Sequence, residues 1–277
     1  MEIVLSDVDI CNFKKLNLCI FDSKVTAIIG DNASGKSIIG EVIATVRKPK
    51  SGKIIIDKNV LDLNMQDVNY NQIRFDIGMV IQNTDVSFFE RTVEKHMSYQ
   101  LNMYNYKRNK KRIIDSLKMV GLNSDFIKRK IKTLSDSERF KVALATTLSI
   151  NPKTIILDDP TCFLDEKNKG SLVKLIKMMK LKYNKTIVIL SNDTDFVLKV
   201  ADYIYAISDN KILLHGNKYD VLTSNKLKNT NIIIPDIIKF QMLFAKKTKL
   251  KMSYRDNVND LIKDIYFYIE KKSGGKS

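Results

Sequence analysis

Short, wholly apolar runs alternate with segments of helical period along this chain. "KVTAIIG" is a β-branched run closed by Gly30, as expected for a strand buried on both faces. Ile38, Ile39, Val42, Ile43 and Val46 then recur at helical intervals, which predicts an amphipathic helix stopped by Pro49 and Gly52. "KIIID" predicts another strand, and "KTIILDDP" a buried strand closed by Pro160. A helix over "DEKNKGSLVKLIKMMKLKY", a strand over "TIVIL", a helix over "DTDFVLKVAD" and a strand pair in "YIYAISDNKILLHG" follow. Strands alternating with helices argue for an α/β unit with a mainly parallel sheet. Between about Ser87 and Ile150 the period is helical throughout, which predicts an all-α insertion. From about Ser224 the chain is Lys-rich, and "IIIPDIIKFQMLFAKK" and "NVNDLIKDIYFYIEKK" predict a small helical C-terminal extension before a frayed "KKSGGKS" end.

Composition changes this picture little. The 277 residues carry 47 Lys and Arg against 31 Asp and Glu, a net charge of +16. That balance invites a nucleic-acid or anionic-membrane partner. The basic residues are spread along the chain, however, and the abundance of Ile and Asn fits an AT-rich coding bias equally well. Cys11, Cys19 and Cys162 are odd in number and lack metal-ligand spacing, so a reduced, cytoplasmic compartment is expected. The start "MEIVLSDVDI" is acidic and alternating, unlike a signal peptide. No apolar run approaches the roughly twenty residues a bilayer demands, so no direct membrane insertion is expected.

The chemistry is concentrated in a few motifs. "GDNASGKS", comprising Gly30, Asp31, Asn32, Ala33, Ser34, Gly35, Lys36 and Ser37, matches G-x-x-x-x-G-K-[ST] with a buried strand before it and a helix from Ile38 after it. Backbone N–H groups of such a loop wrap phosphates, Lys36 reaches the β/γ oxygens, and the Ser37 hydroxyl takes a magnesium position. Gly30 and Gly35 are expected where a side chain would block close approach. "TIILDDP" delivers Asp158 to the end of a strand, where a P-loop protein holds magnesium through a carboxylate. Gly30, Asp158 and the "SND" at Ser191 all follow predicted strands and are expected to face one crevice. ATP with Mg2+ is the ligand this implies.

With these motifs placed, the chain resembles the nucleotide-binding subunits of ATP-binding cassette (ABC) transporters over nearly its whole length. The order is the P-loop, Gln82 in "GMVIQNTD", a signature position at "LSDSE", then "ILDDPTCFLD" and "ILSND". "VIQNTD", "ADYIYAISDNKILLHGNKYDVL" and "PDIIKFQMLFAKK" are most similar to energy-coupling factor ATPases. The resemblance implies an α/β fold of the P-loop NTPase type, with an N-terminal antiparallel β portion. It implies an ABC nucleotide-binding domain over 1–224, a helical subdomain at about 87–150, and a C-terminal extension over 225–277. It also implies that Gln82 touches magnesium and links to a membrane subunit, and that Asp165 contacts a partner ATPase. Two ATP molecules would lie between one chain's P-loop and the other's signature, Ser135, Asp136, Ser137 and Glu138. Phe13 in "VDICNFKK" is the ring available to stack on adenine. The implied partners are a second ATPase and transmembrane coupling and substrate-binding subunits, on the cytoplasmic face of the membrane. "QNTDVSFFE", with Phe88 and Phe89, is the surface expected to receive them.

Three positions depart from that pattern. Asp159 stands where the family carries Glu, one methylene short for a base or water-orienting group. A shortfall of about 1 Å in such a group costs around a hundredfold in rate. Asn192 stands where the family has the γ-phosphate-sensing histidine, and an amide donates a hydrogen bond without positive charge. Neither His96 nor His215 is placed to substitute. Asp136 and Ser137 replace two signature glycines; an ionised Asp roughly 5 Å from a phosphate costs about 3 kcal/mol per unit charge at an effective dielectric near 20. Ser135 and Glu138 also read as a capping box, which explains the stretch without catalysis. The own-site and opposite-site defects together point to a heterodimer with a more regular paralogue. An ATP-binding pseudo-ATPase, and more remotely a nucleic-acid-linked ABC protein, are the alternatives.

Overall fold

The computed structural model describes residues 1–61, 73–106, 110–248 and 253–273. Among them two sheets form. β1 (Ile3–Ile10), β2 (Phe13–Ile20), β4 (Ser51–Ile56) and β5 (Asn59–Leu61) make an antiparallel sheet in the order β2-β1-β4-β5. The second sheet has six strands. β3 (Val25–Gly30) lies between β9 (Tyr203–Ser208) and β8 (Thr186–Ser191), followed outward on the β8 side by β7 (Thr154–Asp158) and β6 (Ile77–Val80). These five strands are parallel, and β10 (Lys211–Asn217) closes the far edge as an antiparallel hairpin with β9.

The sequence of β3 explains its place. Val25, Ala27 and Ile29 face one core, shared with the helices, while Ile28 faces a second core shared with the antiparallel sheet. A strand covered on both faces reads as a continuous apolar run, not an alternating one. Helix α1 (Lys36–Ile43) is held between the two sheets through Ile39, Val42 and Ile43. It is shorter than its periodicity predicts: Thr45 turns to φ +58°, and Val46 is 64% exposed beyond the helix end. Tyr205 joins the sheets by a pair of bonds, accepting from the Cys19 N–H at 2.8 Å and donating to the Cys19 carbonyl at 3.2 Å. Burial pushes this phenol up to about 12.

The stretch expected to be helical contains α2 (Val93–Met103), α3 (Lys110–Met119), two short 3₁₀ turns, and α4 (Asp136–Ser149), with 107–109 outside the described residues. After β7, α5 (Glu166–Tyr183) and α6 (Thr194–Val200) complete the α/β layering. The C-terminal part follows α7 (Lys218–Leu222) and comprises α8 (Asp236–Thr248) and α9 (Val258–Ser273). Gln241 on α8 clamps the Arg255 backbone, accepting its N–H at 2.7 Å and donating to its carbonyl at 2.9 Å. Helix α9 continues through Ser273 into the stretch expected to fray, and 274–277 lie outside the described residues. No helix among the described residues is long and apolar enough to cross a membrane.

His96 on α2 is 3% exposed, with the rings of Phe88 and Phe89 each 4.9 Å away, and burial pushes its imidazole down to about 4. Its folded value lies below the unfolded value, so the unfolded chain binds the extra proton. The neutral-histidine contribution is complete above pH 6.5 and is lost as pH falls toward 4. Denaturant titrations at pH 7 and pH 5 should therefore show about 2 kcal/mol of stability lost through this group. A His96→Leu variant should lose that component of the pH dependence.

Candidate active site

Gly30 ends the central strand, and α1 begins six residues later, so the loop between them sits at the carboxyl edge of the parallel sheet. Lys36 is only 6% exposed, and its ammonium donates to the carbonyls of Gly30 at 3.0 Å and Asp31 at 2.9 Å. Burial pulls this amine down, while the charges of Asp159, Asp158 and Asp31 hold it up. Gly35 has φ +90°, and a Cβ there would lie 2.4 Å from the Phe13 ring. A Cβ on Gly30 would lie 2.6 Å from the Ser34 hydroxyl and 2.8 Å from the Ile207 carbonyl. Both glycines are thus demanded by the loop's own packing as well as by access for a ligand. Phe13 itself is 1% exposed beneath the loop, within the core between the sheets. That corrects its expected role: a ring buried against Gly35 offers no face to an adenine.

The second strand end supplies carboxylates. Asp158 is 4% exposed, and its Oδ1 has no hydrogen-bond partner among the described residues. Burial pushes it up to about 6, opposed by the Ser37 hydroxyl and Lys36 and reinforced by Asp159 and Glu41. Asp159 adopts φ +42° and donates its N–H to the Leu190 carbonyl on the adjacent strand at 2.8 Å. Burial raises its carboxyl as well, against Lys36 and the Asn192 N–H. Asn192, just past β8, donates its side-chain amide to Asn32 Oδ1 at 2.9 Å. P-loop, Asp158, Asp159 and Asn192 therefore converge as expected. A buried carboxylate oxygen without a partner, beside a buried ammonium and a hydroxyl, is what a divalent cation with phosphates would satisfy. The donor set fits Mg-ATP.

The remaining expected residues stand elsewhere. Ser135 accepts from the Glu138 N–H at 3.3 Å and donates its own N–H to the Glu138 carboxylate at 2.9 Å, so the capping box is real. Glu138 is also paired with Arg129 at 2.8 Å. Asp136 pairs with Arg139 at 3.0 Å, and the same guanidinium reaches Asp85 at 2.8 Å. These bonds hold Ser135, Asp136 and Glu138 within the helical region, and none runs to this chain's own P-loop; half-buried Ser137 follows them on α4. Gln82 is exposed just before the 3₁₀ turn that carries Asp85. Asp165 is exposed and caps α5, accepting from the Asn168 N–H at 2.7 Å. His215 stacks on Tyr205 with Nδ1 2.6 Å from the Tyr203 hydroxyl, so neither histidine joins the site. Phe88 packs on the core, while Phe89 is 59% exposed. Sequence reasoning missed Arg139, although its i,i+3 spacing from Asp136 was visible. It also missed Asn231, whose bond to Asp31 crosses two hundred residues with no local signal.

A G-x-x-x-x-G-K-S loop on a central parallel strand, with an acidic strand end beside it, defines a P-loop nucleotide-binding protein. Residues 13–162 match the ABC transporter family profile. An energy-coupling factor transporter ATP-binding protein, EcfA2 of Clostridium acetobutylicum, is 32% identical over 91% of this chain and 85% of its own length. EcfA1 of Ligilactobacillus salivarius is 34% identical over 86% of this chain and 83% of its own. The structure of cbiO1 from Clostridium perfringens, described as part of the ABC transporter complex cbiONQ, superimposes with a TM-score of 0.71 at 27% identity, covering 87% of this chain and 98% of that one. The chain belongs to the ABC transporter family of ATPases.

Gly35→Ala is expected to cost about 1–3 kcal/mol through its positive φ and the Phe13 ring. The measurement is a thermal melt paired with nucleotide titration, and wild-type behaviour in both would contradict the packing described.

Proposed function

We propose that this chain is one of two ATPases powering an energy-coupling factor importer for a vitamin or metal ion. It would pair with a more regular paralogue and sit peripherally on the cytoplasmic face of the membrane, through transmembrane partners. The observation that carries this reading is the division within the site. The residues read as phosphate and magnesium ligands, Lys36, Ser37 and Asp158, stand together, whereas Asp159, Asn192 and the Asp136–Ser137 pair depart from what fast hydrolysis needs. The likeness to energy-coupling factor ATP-binding proteins, over 86–91% of this chain, supports the class of transporter.

In this reading Lys36 exchanges its two carbonyls for the β- and γ-phosphate oxygens, and the N–H groups of the loop and of α1 take the rest. Ser37, Asp158 and Gln82 would hold magnesium, which withdraws charge from the phosphates when bound. Asp159 orients the attacking water from a carboxylate one methylene shorter than the family's, and Asn192 offers an amide where a histidine stands. The 135–138 corner, with Asp136 drawn onto Arg139, faces the paralogue's ATP. Asp165, capping α5, is placed by the same reading at the ATPase–ATPase interface. The exposed Phe89, with Gln82 on the same loop, is the apolar contact offered to transmembrane helices. A pseudo-ATPase that binds ATP without turnover is the second reading, favoured by the short Asp159 and the neutral Asn192 at one site.

Co-purification from membranes should recover a second ATPase and transmembrane subunits; recovery of a self-paired chain with no such partners would overturn the proposal. In the reconstituted complex, Asp136→Gly with Ser137→Gly should raise kcat, and Asp159→Glu should raise it by on the order of ten- to a hundredfold. A complex that binds ATP, stays inactive, and does not respond to either change would select the pseudo-ATPase instead.

A further inference from the structure

The P-loop has an anion of its own. Asp31 is the second residue of the loop, and its carboxylate stands beside the Lys36 site, whose ammonium takes the Asp31 carbonyl. An ionised side chain there repels the phosphates the loop is built to take. The structure gives both oxygens of this carboxylate other work. Oδ1 accepts the Asn32 N–H at 2.7 Å, and Oδ2 accepts the Asn231 side-chain amide at 2.6 Å. Asn231 lies on the segment between α7 and α8. With Asn229, Thr230 and Ile232 it walls a cavity of about 340 Å³ against the loop and the β9–β10 turn. In the order of the sheet, that turn is on the opposite side of β3 from Asp158. The amide therefore draws the Asp31 charge away from the carboxylate strand and toward the C-terminal part of the chain.

The segment bearing Asn231 is itself fixed. Two residues on, the Ile233 carbonyl accepts the Thr194 hydroxyl at 2.5 Å, and Thr194 is 3% exposed. Thr194 follows Asn192 by two residues, and Asn192 holds the next loop residue, Asn32, at 2.9 Å. Asp31, Asn231, Ile233, Thr194, Asn192 and Asn32 thus form a closed circuit. It clamps two consecutive residues of the phosphate loop from outside the P-loop motif. Pro235 and α8 follow directly, so the clamp ties the phosphate loop to the segment that leads into the C-terminal helices.

We propose that Asn231 is a positioning residue for nucleotide binding, holding the Asp31 carboxylate off the phosphate site and the front of the loop in its binding shape. The proposal rests on the Mg-ATP reading above and adds to it a determinant of affinity outside the family's motifs. The test uses the full chain titrated calorimetrically with Mg-ATP, alongside thermal melts without nucleotide. Asn231→Ala should raise Kd about five- to tenfold, the loss of one strong hydrogen bond, while the nucleotide-free melting temperature stays within a few degrees. Asn231→Asp should bind more weakly still, because two carboxylates then face each other. With Asp31→Ala in place, which removes both the charge and the acceptor of the Asn231 amide, the Asn231→Ala change should no longer alter Kd, which a merely structural role would not produce. Should Asn231→Ala fail to fold, Asn231→Ser against Asp31→Ala completes the same cycle. A Kd unchanged in Asn231→Ala, or a loss that persists with Asp31→Ala, would overturn the role assigned to Asn231. A wild-type chain that binds no Mg-ATP would overturn the nucleotide reading itself, and this inference with it.

Discussion

A buried ammonium organises this molecule. Lys36 is held by two backbone carbonyls in a site from which water is largely excluded, an arrangement that costs several kcal/mol without compensating charge. The compensation comes from Asp158 and Asp159, which stand at the end of a strand two places away in the sheet. That requirement fits the strand order, because parallel β3, β8 and β7 side by side bring the loop, the residue after β8 and the end of β7 together at one edge. It also accounts for the unusual backbone nearby. Gly35, Ala33 and Asp159 all take positive φ, conformations kept only where the surrounding packing over-determines them.

Much of this was legible in the chain itself, for identifiable reasons. Buried parallel strands write themselves as apolar runs, so β3, β7 and β8 were visible, and the capping box at Ser135 is a local code with a local outcome. What could not be read depends on contacts distant in sequence. Val46 continues the helical period, yet the chain turns at Thr45 before reaching it. Phe13 is the ring available in "VDICNFKK", and only the packed structure shows it spent on Gly35. Phe88 and Phe89 are adjacent and identical in composition, but one meets the core and the other solvent. The tie between Asn231 and Asp31 leaves no mark at either position.

The helical region shows how local pairing alters what a formal charge means. Asp136 read alone is a negative group at the helix start that a partner's phosphate would meet. In the structure it shares Arg139 with Asp85, so the corner carries a three-member network and not an isolated anion. Because Asp85 follows Gln82 closely, that guanidinium also joins the stretch carrying Gln82 to the first turn of α4. Two stretches well separated in sequence are here bonded through one side chain.

The central position of β3 has a further meaning during synthesis. It is an early strand to emerge, yet its hydrogen-bonding neighbours are residues 187–191 and 203–207. Val25 pairs with Ile187, so 187 − 25 = 162 further residues must be translated before its first lateral partner exists. At the usual pace of a ribosome that is roughly ten to thirty seconds. Throughout that interval one of the most apolar segments of the nascent chain has both edges open, and a chaperone has reason to hold it.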